Sequence, residues 1–91
     1  MISIGQLSSS LQRELRALEI GDGFGLRTYK GDRGISIKRT KEGFVLEEDG
    51  FFHTSTLYLD EKLLLKDAKR ACKREFPRSH RLQLIRHRKE G

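Results

Sequence analysis

Residues 23–59 contain four short runs in which apolar and polar residues alternate, and turn residues separate each run from the next. The turn residues are Gly31-Asp32, Lys41-Glu42-Gly43 and Asp49-Gly50. Alternation of this kind is typical of strands with one buried face, and Asp-Gly between two such runs is a strong hairpin signal. The segment therefore predicts a four-stranded antiparallel meander. Across the last turn, a two-residue hairpin places Glu48 opposite Phe51 and Leu46 opposite His53.

A helix is predicted before the meander. Its apolar residues recur at steps of three and four, which is one stripe of a helical period. They are Ile4, Leu7, Leu11, Leu15 and Leu18. Ser3 with Gln6 fits a capping box at the helix start, whereas the run of serines lowers helix propensity and makes Ser10 the alternative start. Gly21 and Gly23 predict the end of the helix, because glycine readily adopts the left-handed conformation found there.

Residues 61–76 predict a second helix. Asp60 is suited to cap its first turn, and Pro77 ends it because the residue before a proline avoids helical backbone angles. The expected apolar stripe comprises Leu65, Ala68, Cys72 and Phe76, flanked by Leu64 and Ala71. Residues 81–87 alternate again and predict a short C-terminal strand, with a helix over the same residues as the alternative.

The predicted order is helix, four strands, helix, strand, which indicates an α+β fold with its helices against one sheet face. Residues 1–91 are expected to form a single small domain. A chain of this length buries roughly 60–70% of its unfolded surface, so the core is modest. Dimerisation through the uncovered sheet face or the edge of the meander would bury more.

Several classes of protein are excluded by composition. No segment approaches the roughly 20 consecutive apolar residues that span a bilayer, and no basic stretch followed by an apolar stretch suggests a secretory signal. Cys72 is the only cysteine, so a disulfide within the chain is impossible, which is typical of a reducing compartment. We therefore expect a cytoplasmic protein that does not contact the membrane.

Positive charge is concentrated in the last third of the chain. Residues 60–91 hold eleven Lys/Arg and five Asp/Glu, which accounts for the whole net charge of +6, whereas residues 1–59 hold eight of each. Such an asymmetry suggests a polyanionic partner. The alternative is that these cations keep a surface helix soluble.

The cationic face of the second helix is the candidate binding site. Polyanion binding requires several cations on one surface, because affinity grows with the number of counterions that are released. Four lysines of this helix follow one another at steps of four, three and four residues, and arginines extend the set. The predicted nucleic-acid-binding residues are Lys62, Lys66, Lys69, Arg70, Lys73, Arg74, Arg78 and Arg81. The expected partner is RNA or DNA, bound without sequence specificity.

Aromatic residues on the predicted strands offer a second way to bind nucleic acid, by stacking on bases. They are Phe24, Tyr29, Phe44, Phe52 and Tyr58. With no Trp and one Val in the chain, the core needs these rings, and we interpret them as core residues.

Catalytic and metal-binding patterns are weak. Cys72 lies on the apolar stripe, where a thiol behaves as a small hydrophobe, and Ser79 beside His80 does not make a catalytic triad. The histidines lack the spacing of a metal site. The acidic run 47–49 is interpreted as a solvated hairpin tip.

The sequence thus predicts a protein that is not an enzyme and has no metal or cofactor. We expect it to bind nucleic acid or, as the alternative, to serve as a protein-interaction or homodimerising domain.

Overall fold

The computed structural model describes residues 2–3, 6–28, 33–50, 53–76 and 81–87, and these residues form six strands and two helices. In chain order the elements are β1 (Ile2–Ser3), α1 (Leu7–Ala17), β2 (Gly23–Arg27), β3 (Gly34–Arg39), β4 (Phe44–Asp49), β5 (His53–Tyr58), α2 (Glu61–Glu75) and β6 (Arg81–His87). The predicted α+β fold is confirmed, with its N-terminal helix, four-stranded meander, second helix and C-terminal strand. The alternative of a helix over residues 81–87 is wrong, because β6 pairs with β1 on one side and with β2 on the other.

All six strands belong to one antiparallel sheet in the order β1-β6-β2-β3-β4-β5. Strands β2 to β5 follow one another as a meander, and α2 returns the chain so that β6 pairs with β2. Helix α2 packs on β3, β4 and β5 and contacts α1. The buried apolar side chains of the strands lie on one face of the sheet and form one core cluster with residues of both helices. This cluster includes Leu11, Leu15, Phe24, Leu26, Ile35, Ile37, Leu46, Leu64, Ala68, Cys72 and Leu82.

The start of α1 differs from both predicted starts. The helix begins at Leu7, and Gln6 precedes it without a side-chain capping hydrogen bond. Ser3 lies in β1 and pairs with Arg81, so it is held in an extended conformation and the predicted capping box does not form. The predicted end of the helix is also wrong, because α1 ends at Ala17 and Leu18 follows it in an extended conformation, without a left-handed glycine. Gly21 has a positive φ of 98° in the turn from Glu19 to Asp22, which lies after the helix end.

The hairpin between β4 and β5 is present, but its predicted register is wrong by three residues. Leu46 pairs with Thr56 rather than with His53, and residues 50–52 connect the two strands. Gly50 does not have the positive φ of a type I′ turn, so the two-residue turn does not form. A shift by an odd number exchanges the two faces of a strand. Thr56 therefore lies on the helix-covered side of the sheet and His53 on the open side.

Helix α2 has the predicted start, and its end differs by one residue. Asp60 caps it by accepting a hydrogen bond from the backbone N–H of Lys62 at 2.9 Å, and Phe76 follows its last turn. Its buried face is centred on Leu64 rather than on Leu65, since Leu64 is 0% exposed whereas Leu65 is half-buried. Both leucines are equally apolar, so the helical period alone cannot decide which one faces the sheet.

Candidate nucleic-acid interface

The exposed face of α2 carries a row of four lysines, Lys62, Lys66, Lys69 and Lys73, which we call the lysine row. Three of them are exposed and Lys69 is half-buried. Together with Leu65 and Arg70 they line a shallow groove of about 430 Å³. Because Leu64 and the other buried residues of α2 face the sheet, the lysine row is directed to solvent.

The ammonium groups of the lysine row form no ion pair within the described part of the chain. No carboxylate oxygen of those residues lies within ion-pair distance of any of the four. From Lys62 to Lys73 the helix rises about 17 Å, which is the rise of roughly five nucleotides along one strand of duplex DNA. The row is thus long enough to lie beside several consecutive phosphates.

Arg70 lies at the border of the lysine row. Its side chain is 65% exposed, and its Nη1 atom is 3.9 Å from Oδ1 of Asp67. An exposed pair at this distance is weak, because water and salt screen the two charges. Arg70 therefore adds a fifth accessible positive charge to this surface of α2.

Arg74 has a structural role. Its Nε atom donates to Oε2 of Glu48 at 2.9 Å, and its Nη2 atom donates to Oε1 at 2.6 Å. Glu48 is only 4% exposed, and the hydrogen bonds from Arg74 lower the pKa of its carboxyl group although burial acts to raise it. The charge of Arg74 is therefore directed to a buried carboxylate and is less available to an external polyanion.

The interpretation of the acidic run 47–49 as a solvated tip is wrong for Glu48. Glu48 follows Leu46 by two residues on β4, so both side chains lie on the helix-covered face. Glu47 and Asp49 are exposed on the other face, where Asp49 contacts His53 at 3.0 Å. Side chains two residues apart on a strand share a face, so the burial of Leu46 indicated that Glu48 is buried as well.

The remaining predicted site residues do not lie on α2. Arg78 is outside the described residues. Arg81 begins β6 and pairs with Ser3 of β1. Strand β6 lies on one side of β2, whereas the strands that α2 covers lie on its other side. The side chain of Arg81 is outside the described part of the structure. Another C-terminal cation, Arg86, forms a bidentate ion pair with Glu14 of α1. Its Nε atom donates to Oε1 at 2.7 Å, and its Nη2 atom donates to Oε2 at 3.1 Å. The structure therefore brings together the α2 residues of the predicted site.

A second groove of about 430 Å³ lies between α2 and β5. Its lining includes Leu46, Thr54, Thr56, Tyr58, Asp67, Arg70 and Arg74. The Tyr58 hydroxyl donates to Oδ2 of Asp67 at 2.5 Å. Burial and the Asp67 carboxylate raise the pKa of Tyr58 to about 12, so the phenol remains protonated near neutral pH. Arg70 separates this groove from the groove over the lysine row.

The aromatic residues support the core interpretation. Phe24 is buried in the core cluster, and Phe44 and Tyr58 are half-buried and pack against that cluster. Tyr29 and Phe52 are outside the described residues. On the open face of β2 to β6, the described residues include no Phe or Tyr, so this part of the sheet has no platform for stacking bases.

Cys72 is buried within the core cluster. Burial, and to a smaller extent the charge of Glu48, raise the pKa of its thiol to about 12, so the thiol is protonated at neutral pH. Within the described ranges, no three His, Cys, Asp or Glu side chains converge in a way that could hold a metal ion. Nor does that part of the chain contain a helix long and apolar enough to cross a membrane.

Comparison with known proteins identifies no relative of this chain. No protein-family model, curated protein or solved structure matches it significantly. The arrangement of cations on α2 is therefore the observation from which a function can be inferred.

Proposed function

We propose that this protein is a non-enzymatic nucleic-acid-binding module that contacts phosphate groups through the lysine row of α2. One observation supports the proposal above the others: four lysines share one helix face and lack carboxylate partners in the described part of the chain. Cations of this kind release condensed counterions when they approach phosphates, and that release drives sequence-independent binding.

Binding is expected to be weak and non-specific. A lysine ammonium is a flexible point charge without the planar fork by which arginine recognises guanine. Arg70 is the accessible arginine beside the row, whereas Arg74 is bound to Glu48. Dissociation constants of about 1–100 µM, typical of non-specific binding, are therefore expected for generic RNA or DNA.

The alternative function is protein interaction or homodimerisation, and one observation favours it. Strand β5 is at the edge of the sheet, and residues 53–57 are exposed. The dependence of binding affinity on salt concentration distinguishes the two functions. Binding to phosphates weakens steeply as salt rises, whereas an interface of paired strands and apolar side chains is nearly indifferent to it.

The test compares two double variants that remove the same charge. Lys66→Gln with Lys73→Gln removes two members of the lysine row. Lys38→Gln with Lys41→Gln removes two exposed lysines on β3 and in the turn that follows it. Plots of log affinity against log salt should flatten by about 1.8 for duplex DNA, or about 1.4 for single strands, in the first variant alone.

Equal slopes for the wild type and the Lys66/Lys73 variant would eliminate α2 as the site. Equal flattening in both variants would mean that net charge, rather than the lysine row, determines binding. Absence of binding by the wild type at low salt, where surface electrostatics is strongest, would contradict the proposed function itself.

A further inference from the structure

The outer side of β5 is an open edge of the sheet. No strand of the described residues pairs with β5 on the side away from β4. At the opposite end of the sheet, β6 is followed by the short strand β1. Alternate backbone N–H and C=O groups along an edge strand point outward, and they are a ready template for another strand.

Strand β5 lacks the features that normally protect such an edge. Lysine, proline or inward-pointing charges usually prevent edge strands from pairing with other chains. Each of the strands β2, β3, β4 and β6 contains a charged residue, but residues 50–59 contain none, although 35% of the whole chain is charged. Residues 53–58 also contain no proline and two threonines, which favour extended structure.

Exposed apolar side chains are concentrated next to this edge. Among the described residues, four large hydrophobic side chains are markedly exposed, and three of them lie where β5 ends and α2 begins. These three are Leu57 at 48%, Leu59 at 78% and Leu63 at 55%, and the fourth is Ile20 at 49%. Leu57 lies on the open face of the sheet and Leu63 on α2, so exposed apolar side chains are present on both faces of the unpaired strand. Exposed apolar surface beside an unpaired strand is typical of an interaction surface.

We infer that β5 pairs with β5 of a second copy of this chain, antiparallel and about a two-fold axis. Such a contact is self-complementary, as two-fold interfaces must be. Every cross-strand pair in it consists of His, Thr, Ser, Leu or Tyr side chains, so no Lys, Arg, Asp or Glu meets a like charge. The helix-covered faces of both copies remain on the same side of the joined sheet.

A second copy of the chain is a suitable partner for this edge. It offers the same uncharged strand and the same three exposed leucines. A two-fold contact requires both copies to contribute the same residues, and an antiparallel pair of β5 strands meets that requirement.

The dimer goes beyond the proposed function and does not depend on it. In the joined sheet the two α2 helices flank the paired β5 strands, and the two grooves between α2 and β5 meet over them. Both lysine rows then lie on one side of the assembly. A dimer presenting two rows binds a long polyanion more tightly than a monomer, because the second contact is intramolecular.

Sedimentation equilibrium of the free protein tests the inference with two matched variants. Leu57→Lys and Ile20→Lys each place a charge at an equally exposed apolar position. The wild type and Ile20→Lys should form dimers as concentration rises, whereas Leu57→Lys should weaken the dimer by about tenfold or more. Hydrogen exchange of the wild type needs no variant, and alternate β5 amides should become protected as the dimer forms.

A wild type that stays monomeric at all accessible concentrations would overturn the inference. The β5 edge would then be available for pairing with an extended segment of another protein. Equal weakening by both variants, or a dimer without protection of β5, would place the interface elsewhere. Because nucleic acid is absent from these measurements, their outcome is separate from that of the binding test.

Discussion

Replacing Arg74 by Ala is expected to lower the free energy of unfolding by roughly 1–3 kcal/mol at neutral pH, since it removes the cationic partner of the buried Glu48 carboxylate. The effect is smaller than for a fully buried ion pair, because the Arg74 side chain is 46% exposed and Glu75 also hydrogen-bonds to Glu48. Arg74 makes two hydrogen bonds to Glu48, which is 4% exposed. Arg70→Ala is the matched control one turn earlier, because its contact with Asp67 is long and exposed. It should change stability by less than about 1 kcal/mol. Urea denaturation of both variants measures the difference.

The same pair predicts how stability depends on pH. Since Arg74 lowers the pKa of Glu48 in the folded protein, the pair stabilises the fold above the ordinary value of 4.5 and loses this contribution as pH falls through the lowered pKa. The difference between wild type and Arg74→Ala should therefore be largest near neutral pH and shrink in acid. Glu48→Gln should reduce this dependence. A loss of stability that is equal at all pH values, or equal for Arg70→Ala, would contradict the structural role of Arg74.

Leu64→Ala is expected to destabilise the protein by about 2–5 kcal/mol, because it opens a cavity where α2 meets the sheet. Leu64 is fully buried, whereas its neighbour Leu65 is half-buried beside the lysine row. Leu65→Ala should cost roughly half as much or less, since part of that side chain is already in water. Both changes leave the helix propensity of the position almost unaltered.

Thermal denaturation of these two variants decides which face of α2 is buried. A larger loss for Leu65→Ala than for Leu64→Ala would mean that the helix is rotated and that the lysine row does not face solvent. The comparison therefore also tests the orientation on which the proposed interface depends.

Local signals made α2 predictable. Asp60 provides the hydrogen bond of a helix cap, Pro77 disfavours helical angles at the residue before it, and both effects act within a few residues of the chain. The spacing of the lysine row is likewise a local property, because a helical period fixes which residues share a face. The structure places the four lysines together for this reason.

The features that were not predicted depend on contacts between segments that are distant in the sequence. The register of β5 depends on a three-residue loop and on which face of the strand meets the helices, and the Asp49-Gly50 pair suggested a shorter turn. The role of Arg74 depends on Glu48, which is 26 residues away along the chain and meets it only when β4 lies under α2. Similarly, Ser3 is drawn away from α1 by pairing with β6. Local sequence patterns do not indicate which distant segments will meet in the folded protein, so these contacts could not be predicted.

The most direct test of the proposed function is an NMR titration of the labelled protein with a short RNA or DNA at low salt. The backbone amides of α2 from Lys62 to Lys73 should shift most, the shifts should decline as salt is added, and Lys38 and Lys41 should remain nearly unaffected. Shifts confined to the open sheet face, or no shift in α2 at saturating nucleic acid, would contradict the proposal that the lysine row binds phosphates.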